Sequence, residues 1–240
     1  LWADAEKWYG IADKSKDRLP PDYAKVIAQN LARVRLQTGT GDMGAAYWLE
    51  RLGASTTDPE FEGAVVALGK IVGGGKPNRE TVAQLQKIHD QYPPESPRHY
   101  SAGAVLLQMM AAQDDMTGAQ KLSGKLATDF SAREKTFAAK TWGTTVAPAI
   151  VNYYKGESER RLGNFADALG AYETVLAAYP FNEWPDAAAC GAAECYVALG
   201  DTKTALEKLG EVVKTGAANP ASAKWMELAK KRITELSGGK

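Results

Sequence analysis

Six prolines divide this chain at near-regular intervals. Pro21, Pro59, Pro97, Pro148, Pro185 and Pro220 are separated by 38, 38, 51, 37 and 35 residues. Each precedes a segment with apolar residues at helical spacing, such as Val26, Ile27, Leu31 and Val34 after Pro21. Proline suits a first helical turn, because the N–H it lacks would have no partner there. Asp58, Ser96 and Asn219 stand directly before three of these prolines and are expected N-caps. Six helix starts at this spacing call for a fold built from repeated units.

A second family of helices lies between those starts. Ala168, Leu169, Tyr172, Val175, Leu176 and Tyr179 form one apolar stripe at spacings of three and four. Ala205, Leu206, Leu209, Val212 and Val213 repeat it 37 residues on. Thr81, Val82, Leu85, Ile88 and Tyr92 form an earlier copy, and Ala45, Ala46, Leu49 and Leu52 an earlier one still. Ala119, Leu126, Ala127 and Phe130 make a weaker copy. No run alternates in the period-two manner of a strand. The sequence therefore predicts an all-α fold, an α-solenoid of antiparallel helix pairs. A single pair cannot bury its own apolar face, so neighbours must stack.

Composition narrows the function classes. Lys plus Arg number 29 and Asp plus Glu 29, with no run of five like charges, so no net field draws in nucleic acid. No stretch reaches the roughly 20 apolar residues of a membrane-spanning helix. Cys190 and Cys195, the two cysteines, would lie about 140° apart on one helix, a geometry that does not favour a disulfide. They read as small buried thiols. A chain beginning at Leu1 is expected to be a mature protein whose leader was removed, or a trimmed piece of one.

From Tyr153 to Pro180 the chain resembles a tetratricopeptide repeat (TPR). Gly156, Gly163, Ala168, Tyr172 and Pro180 fall at that family's Gly, Gly, Ala, aromatic and Pro positions. The next copy keeps Tyr196, Gly200, Asp201, Ala205 and Leu209, with Ala193 at the first Gly position. Gly156 and Ala168 would let paired helices approach closely, and Gly163 would end a helix in a left-handed conformation. Two positions depart from the pattern: Glu159 replaces an aromatic, and Ala217 stands where proline is expected, with Pro220 three residues later. The run Tyr179-Pro180, Ala198-Leu199-Gly200-Asp201, Asn219-Pro220 and the amphipathic Ala223–Leu236 is also similar to helical repeat proteins of bacterial envelopes, such as the Tol–Pal-associated coordinator and the outer-membrane assembly lipoprotein. That likeness implies an extracytoplasmic, periplasmic home, with the cytoplasm as the alternative.

The expected organisation is residues 1–130 as degenerate TPR-like pairs behind an N-terminal cap helix, then residues 131–240. The latter would hold an extra helix near Ser131–Thr141, two better-matched repeats and a C-terminal capping helix; both parts could form one continuous solenoid. The cap helix would show an aromatic face of Trp2, Trp8 and Tyr9. Lys224, Glu227, Lys230, Lys231 and Glu235 would give the last helix its polar outer face. Gly73–Lys76 reads as a turn and Gly238–Lys240 as a tail. Trp184, between Phe181 and a helix-opening proline, is expected to be the most exposed tryptophan.

Catalytic and cofactor patterns are weak. Gly39-Thr40-Gly41-Asp42-Met43-Gly44 spells GxGxxG, but the segment before it is helical rather than a strand, so a turn is the better reading. His89 and His99, the two histidines, have no metal-site spacing, and His89 is expected to be packed or at the surface. No nucleophile–base arrangement is visible. The expectation is a non-enzyme with no cofactor and no metal, holding a protein or peptide partner.

The TPR resemblance places partner contacts on the first helix of each pair, here Tyr153, Glu157, Arg160, Arg161 and Glu194. Against this, Tyr153 could be core and the arginines could merely solvate a helix end. Two other readings differ in class: a helix-pair enzyme of the toroidal glycosidase kind, which needs two carboxylates facing a cleft, or a small-ligand binder near Ser131–Thr141.

Overall fold

The computed structural model describes residues 2–38, 41–72, 77–138 and 140–238. Gly73–Lys76, read as a turn, and residues 39–40 and 239–240 lie outside the described residues. The turn expected over Gly39–Gly44 is corrected in its described part, since Gly41–Gly44 opens the helix Gly41–Gly53, and Gly238 of the expected tail ends the helix Ala223–Gly238. The chain divides into two compact units, Leu1–Asp114 and Asp115–Lys240. Every regular element among the described residues is helical, and successive helices pack in pairs within each unit.

The N-terminal unit contains α1 (Trp2–Asp13), α2 (Pro21–Thr38), α3 (Gly41–Gly53), α4 (Asp58–Val72), α5 (Arg79–His89) and α6 (Pro97–Ala112). Each of α1 to α3 packs on the next, α3 also on α5, and both α4 and α5 on α6. Its core is made of large side chains: Leu52, Phe61, Leu68, Leu85, Leu106 and Leu107 are fully buried. Each such burial contributes roughly 1.5–3 kcal/mol. Ser96 caps α6, accepting from the Arg98 N–H at 3.3 Å. Asp58 departs from the cap expectation. It is the first residue of α4, and its carboxylate accepts from Arg98 Nε at 2.7 Å. Arg98 also donates to the Ser55 and Thr56 carbonyls and covers the rings of Phe61 and Tyr92, fastening the start of α4 to α6. His89 and His99 are buried with their rings in contact, 4.3 Å between centroids and tilted by 32°, the packed role expected of His89.

Trp8 is 67% exposed; α1 packs on α2, and Tyr9 accepts from Asn30 Nδ2. One further sequence expectation fails in this unit. Ala46 is exposed although Ala45, Leu49 and Leu52 are buried, because a narrow apolar stripe of α3 faces its neighbours.

The C-terminal unit contains α7 (Met116–Arg133), the short α8 (Trp142–Thr145), α9 (Ala147–Arg161), α10 (Phe165–Ala178), α11 (Trp184–Ala198), α12 (Thr202–Gly216) and α13 (Ala223–Gly238). α7 packs on α9, and each of α9 to α12 packs on the next. The extra helix expected at Ser131–Thr141 is absent. Residues 131–133 finish α7, a 3-10 turn follows at Glu134–Thr136, and Phe137, Ala138, Lys140 and Thr141 are non-helical. The long proline interval is thus taken up by an 18-residue α7 and an extended connection.

Two turns in this unit repeat atom for atom. Gly163 (φ +87) and Gly200 (φ +84) occupy the left-handed region. The N–H after each glycine reaches back to a helix carbonyl, Asn164 to Glu159 and Asp201 to Tyr196, both at 2.8 Å. The glycine N–H bonds one residue on, Gly163 to Arg160 and Gly200 to Val197. This double closure satisfies the last carbonyls of α9 and α11 and turns the chain sharply into α10 and α12.

Helix separation is set by small residues. Tyr172 of α10 is fully buried, and its ring lies flat between two backbones. A Cβ on Gly156 of α9 would sit 2.6 Å from Tyr172 Cε1, and one on Gly191 of α11 would strike Tyr172 Cζ even more closely. Only glycine at both positions lets one ring bridge α9 and α11.

Candidate functional site

Tyr153, Glu157, Arg160, Arg161 and Glu194 converge on one groove within the C-terminal unit, of about 260 Å³. Its walls are α9, α11 and α13; Ala187, Cys190 and Gly191 of α11 form a floor of small side chains, with Leu209 of α12 beneath. Trp225, Leu228 and Arg232 of α13 complete it. The repeat explains why these residues meet. Advancing from Tyr153 by the proline intervals of 37 and 35 residues gives Cys190 and Trp225, and from Arg160 gives Val197 and Arg232. Equivalent positions on successive first helices face the same side.

Tyr153 packs against Trp184 and Trp225, with ring centroids 5.4 and 6.0 Å away. It is both core and groove wall. Trp184 is 9% exposed, contrary to its expected exposure: at the start of α11 its indole folds back onto Tyr153 and Tyr154. Burial, with Glu157 adding to it, holds the Tyr153 and Tyr172 hydroxyls well above the usual phenol range, so both stay neutral.

The charged residues form a built network rather than a solvated helix end. Glu157 accepts from the Tyr172 hydroxyl at 2.6 Å and from Arg160 Nε and Nη2 at 3.2 and 3.0 Å. Arg161 Nε stands 3.7 Å from the same carboxylate, and its side chain is 43% exposed. Burial acts to lower the Arg160 guanidinium, but the hydrogen bond and charge of Glu157 outweigh it and raise it. Arg232 donates to both oxygens of Glu194 at 2.9 and 3.0 Å, and to Glu235 at 2.9 Å. Bonds to Glu194 and Glu235 raise its pKa in turn. Glu194, expected as a partner contact, is therefore occupied from within the chain by α13.

Glu159 answers for one departure from the repeat pattern. Where an aromatic was expected, its carboxylate accepts from Gln120 of α7 and Asn164 of the turn, at 2.9 and 2.8 Å. Cys190 and Cys195 are free and buried, as expected; burial pushes their thiols up to about 12 and about 11.

Trp225, Leu228 and Arg232 were not among the residues expected from sequence. Their spacing of three and four on α13 was the available signal, hidden because a terminal helix was read as a polar cap. The polar face exists too, with Lys224, Glu227, Lys230, Lys231 and Glu235 exposed. No group of three potential metal-ligating side chains occurs among the described residues, and none of their helices is long and apolar enough to cross a membrane.

Residues 151–182 match the tetratricopeptide repeat family. The matched span covers most of α9 and all of α10, including Tyr153, Glu157, Arg160 and Arg161. No curated protein matches the chain.

Proposed function

We propose that the chain is a protein-interaction scaffold, and that a segment of a partner protein lies in the groove of α9, α11 and α13. The observation that carries this is the groove itself: a TPR-like helix pair and the two following first-position helices present Tyr153, Trp225, Leu228 and three arginines on one side. Tyr, Trp and Arg are the side chains most often found at the energetic centre of interfaces. The volume supports a peptide anchor over a small-molecule site. Ligand pockets run to about 300–1,000 Å³ and enclose their ligand, and about 260 Å³ suits one or two side chains.

A scaffold is favoured over an enzyme because both carboxylates of the groove, Glu157 and Glu194, are held in bidentate pairs with Arg160 and Arg232. A glycosidase needs two carboxyls turned toward a shared substrate. The resemblance to envelope repeat proteins supports a periplasmic setting, in an envelope complex.

The test is affinity capture from native cells with the intact chain and with a Leu228→Glu, Arg161→Glu variant, each captured protein then re-bound in purified form. Both residues are exposed, so the fold survives the change, which circular dichroism verifies. A directly binding partner that the variant loses supports the groove. Equal binding by both proteins overturns it.

A further inference from the structure

We propose that the exposed face of α1, extended by the start of α2, seats a second copy of this chain, with the two α1 helices antiparallel about a two-fold axis between Trp8 and Ile11. This surface belongs to the N-terminal unit and does not depend on the groove. The first and last helices differ in what they show to water. A series of stacked helix pairs has to end in polar faces. The last helix, α13, complies, with Lys224, Glu227, Lys230, Lys231 and Glu235 exposed. The first pair does not: Trp8 and Tyr23 are two-thirds exposed, and Ile11 and Val26 half exposed. Trp8 and Ile11 stand three apart on α1, and Tyr23 and Val26 three apart on α2, so each couple shares a helix face. Asn30, one turn after Val26, donates to the Tyr9 hydroxyl, so Val26 and Tyr23 continue the apolar surface beside the C-terminal end of α1.

The size of this face suits a copy of itself. Two aromatic and two aliphatic side chains at these exposures present roughly 500 Å² of apolar surface, the extent that marks an interaction site on a single chain. Two such faces together cover on the order of 1,000 Å², the least that a specific interface needs, and their charged rims add to it. The charges then fix the orientation. Asp4, Lys7, Trp8, Ile11 and Lys14 are all exposed and recur at spacings of three and four. Lys14 follows the last residue of α1, and its N–H still bonds the Gly10 carbonyl at 3.3 Å, so it keeps the helical course. At 1.5 Å per residue, Asp4 lies about 8 Å to one side of the midpoint of Trp8 and Ile11, and Lys14 about 7 Å to the other. A two-fold axis at that midpoint sets Trp8 of each copy against Ile11 of the other and Asp4 of each against Lys14 of the other. Lys7 then meets the half-buried Ala12 and no like charge. A parallel arrangement would bring Asp4 onto Asp4 and Lys14 onto Lys14, which is repulsive.

The experiment is sedimentation equilibrium of the whole chain at roughly 1–200 µM, the range in which an interface of this size forms. A reversible dimer is expected. Trp8→Glu, on an exposed side chain whose change circular dichroism shows to leave the helices intact, should raise its dissociation constant at least about tenfold. Asp4→Lys and Lys14→Asp should each weaken it, because each sets like charges together twice. An equimolar mixture of those two variants should dimerise again, since each contact then joins opposite charges. Asp4→Lys mixed with Lys203→Glu, an equal charge change on α12, should not. A chain that stays monomeric over this range overturns the proposal, as does a dimer that Trp8→Glu leaves unchanged. Loss of the dimer with Trp8→Glu but no recovery in the mixture overturns the antiparallel register and leaves α1 as the face. A monomeric chain that binds phosphatidylserine vesicles through Trp8 would assign the face to a membrane surface instead.

Discussion

The two units follow one plan, helix packed on helix in sequence order, but they fill their interiors differently. The N-terminal unit is filled with large side chains: Phe61 against Tyr92 under Arg98, and Leu52, Leu68 and Leu85 fully buried. The C-terminal unit fixes α9, α10 and α11 with glycine and alanine around a single buried ring, Tyr172. Large side chains can be exchanged for others of similar volume, so the first kind of packing leaves only periodicity in the sequence. A backbone–ring contact admits only glycine, so the second kind leaves fixed residues at fixed positions. That is why the family match falls on residues 151–182 and not on the N-terminal pairs.

Five substitutions and one titration can break or sharpen this contrast. The largest effect belongs to the N-terminal unit: Phe61→Ala empties the space between Tyr92 and Arg98 and should destabilise by about 4 kcal/mol. Amide exchange in α4–α6 reports it, and a loss under about 1 kcal/mol would mean that large-residue packing does not hold this unit. Next comes Gly191→Val, which drives methyl groups into Tyr172. Overpacking of this kind costs roughly 3 kcal/mol, read as a lowered denaturant midpoint, and an unchanged midpoint would show that the ring moves aside freely. Gly163→Ala and Gly200→Ala force alanine into the left-handed region and should each cost about 1–2 kcal/mol; nothing lies within 4 Å of either position, so strain alone is measured. Gly170→Ala should act in the opposite direction. Gly170 is exposed within α10 with open space around it, and the substitution should stabilise by roughly 0.5–1 kcal/mol.

The smallest change, none near neutral pH, concerns the two thiols. Their folded-state values of about 12 and about 11 lie above the ordinary value of 9.0, because burial favours the neutral form. A raised pKa contributes stability that is fully present below the unfolded value and is lost as pH rises toward the folded one. Unfolding midpoints should therefore hold between pH 6 and about 8 and fall from about pH 9 upward. A disulfide-exchange reagent at pH 8 should label both cysteines only in denaturant. Rapid labelling of the native chain would show that α11 opens readily.

Much of the fold was legible in particular residues. Pro21, Pro97, Pro148, Pro185 and Pro220 all stand in the first turn of a helix or 3-10 turn, and Gly163 takes its left-handed turn. Asp58 was misread because its carboxylate is taken by Arg98, forty residues away, which no local rule foresees. Trp184 was misread for the same reason: its neighbours in sequence suggest exposure, whereas Tyr153, from another helix, covers it. Half the groove was readable from the first helices alone. The other half, Trp225, Leu228 and Arg232, required seeing that α13 continues the array it also caps.

By itself, then, the sequence determined the helical period, the helix starts and the glycine turns, because these depend on interactions within a few residues of each other. Tertiary structure alone decided which charges are committed and which face outward. Glu194 and Arg232 lie 38 residues apart, and only the packing of α13 beside α11 brings them to 2.9 Å. Ion pairing and burial depend on that distance rather than on position along the chain.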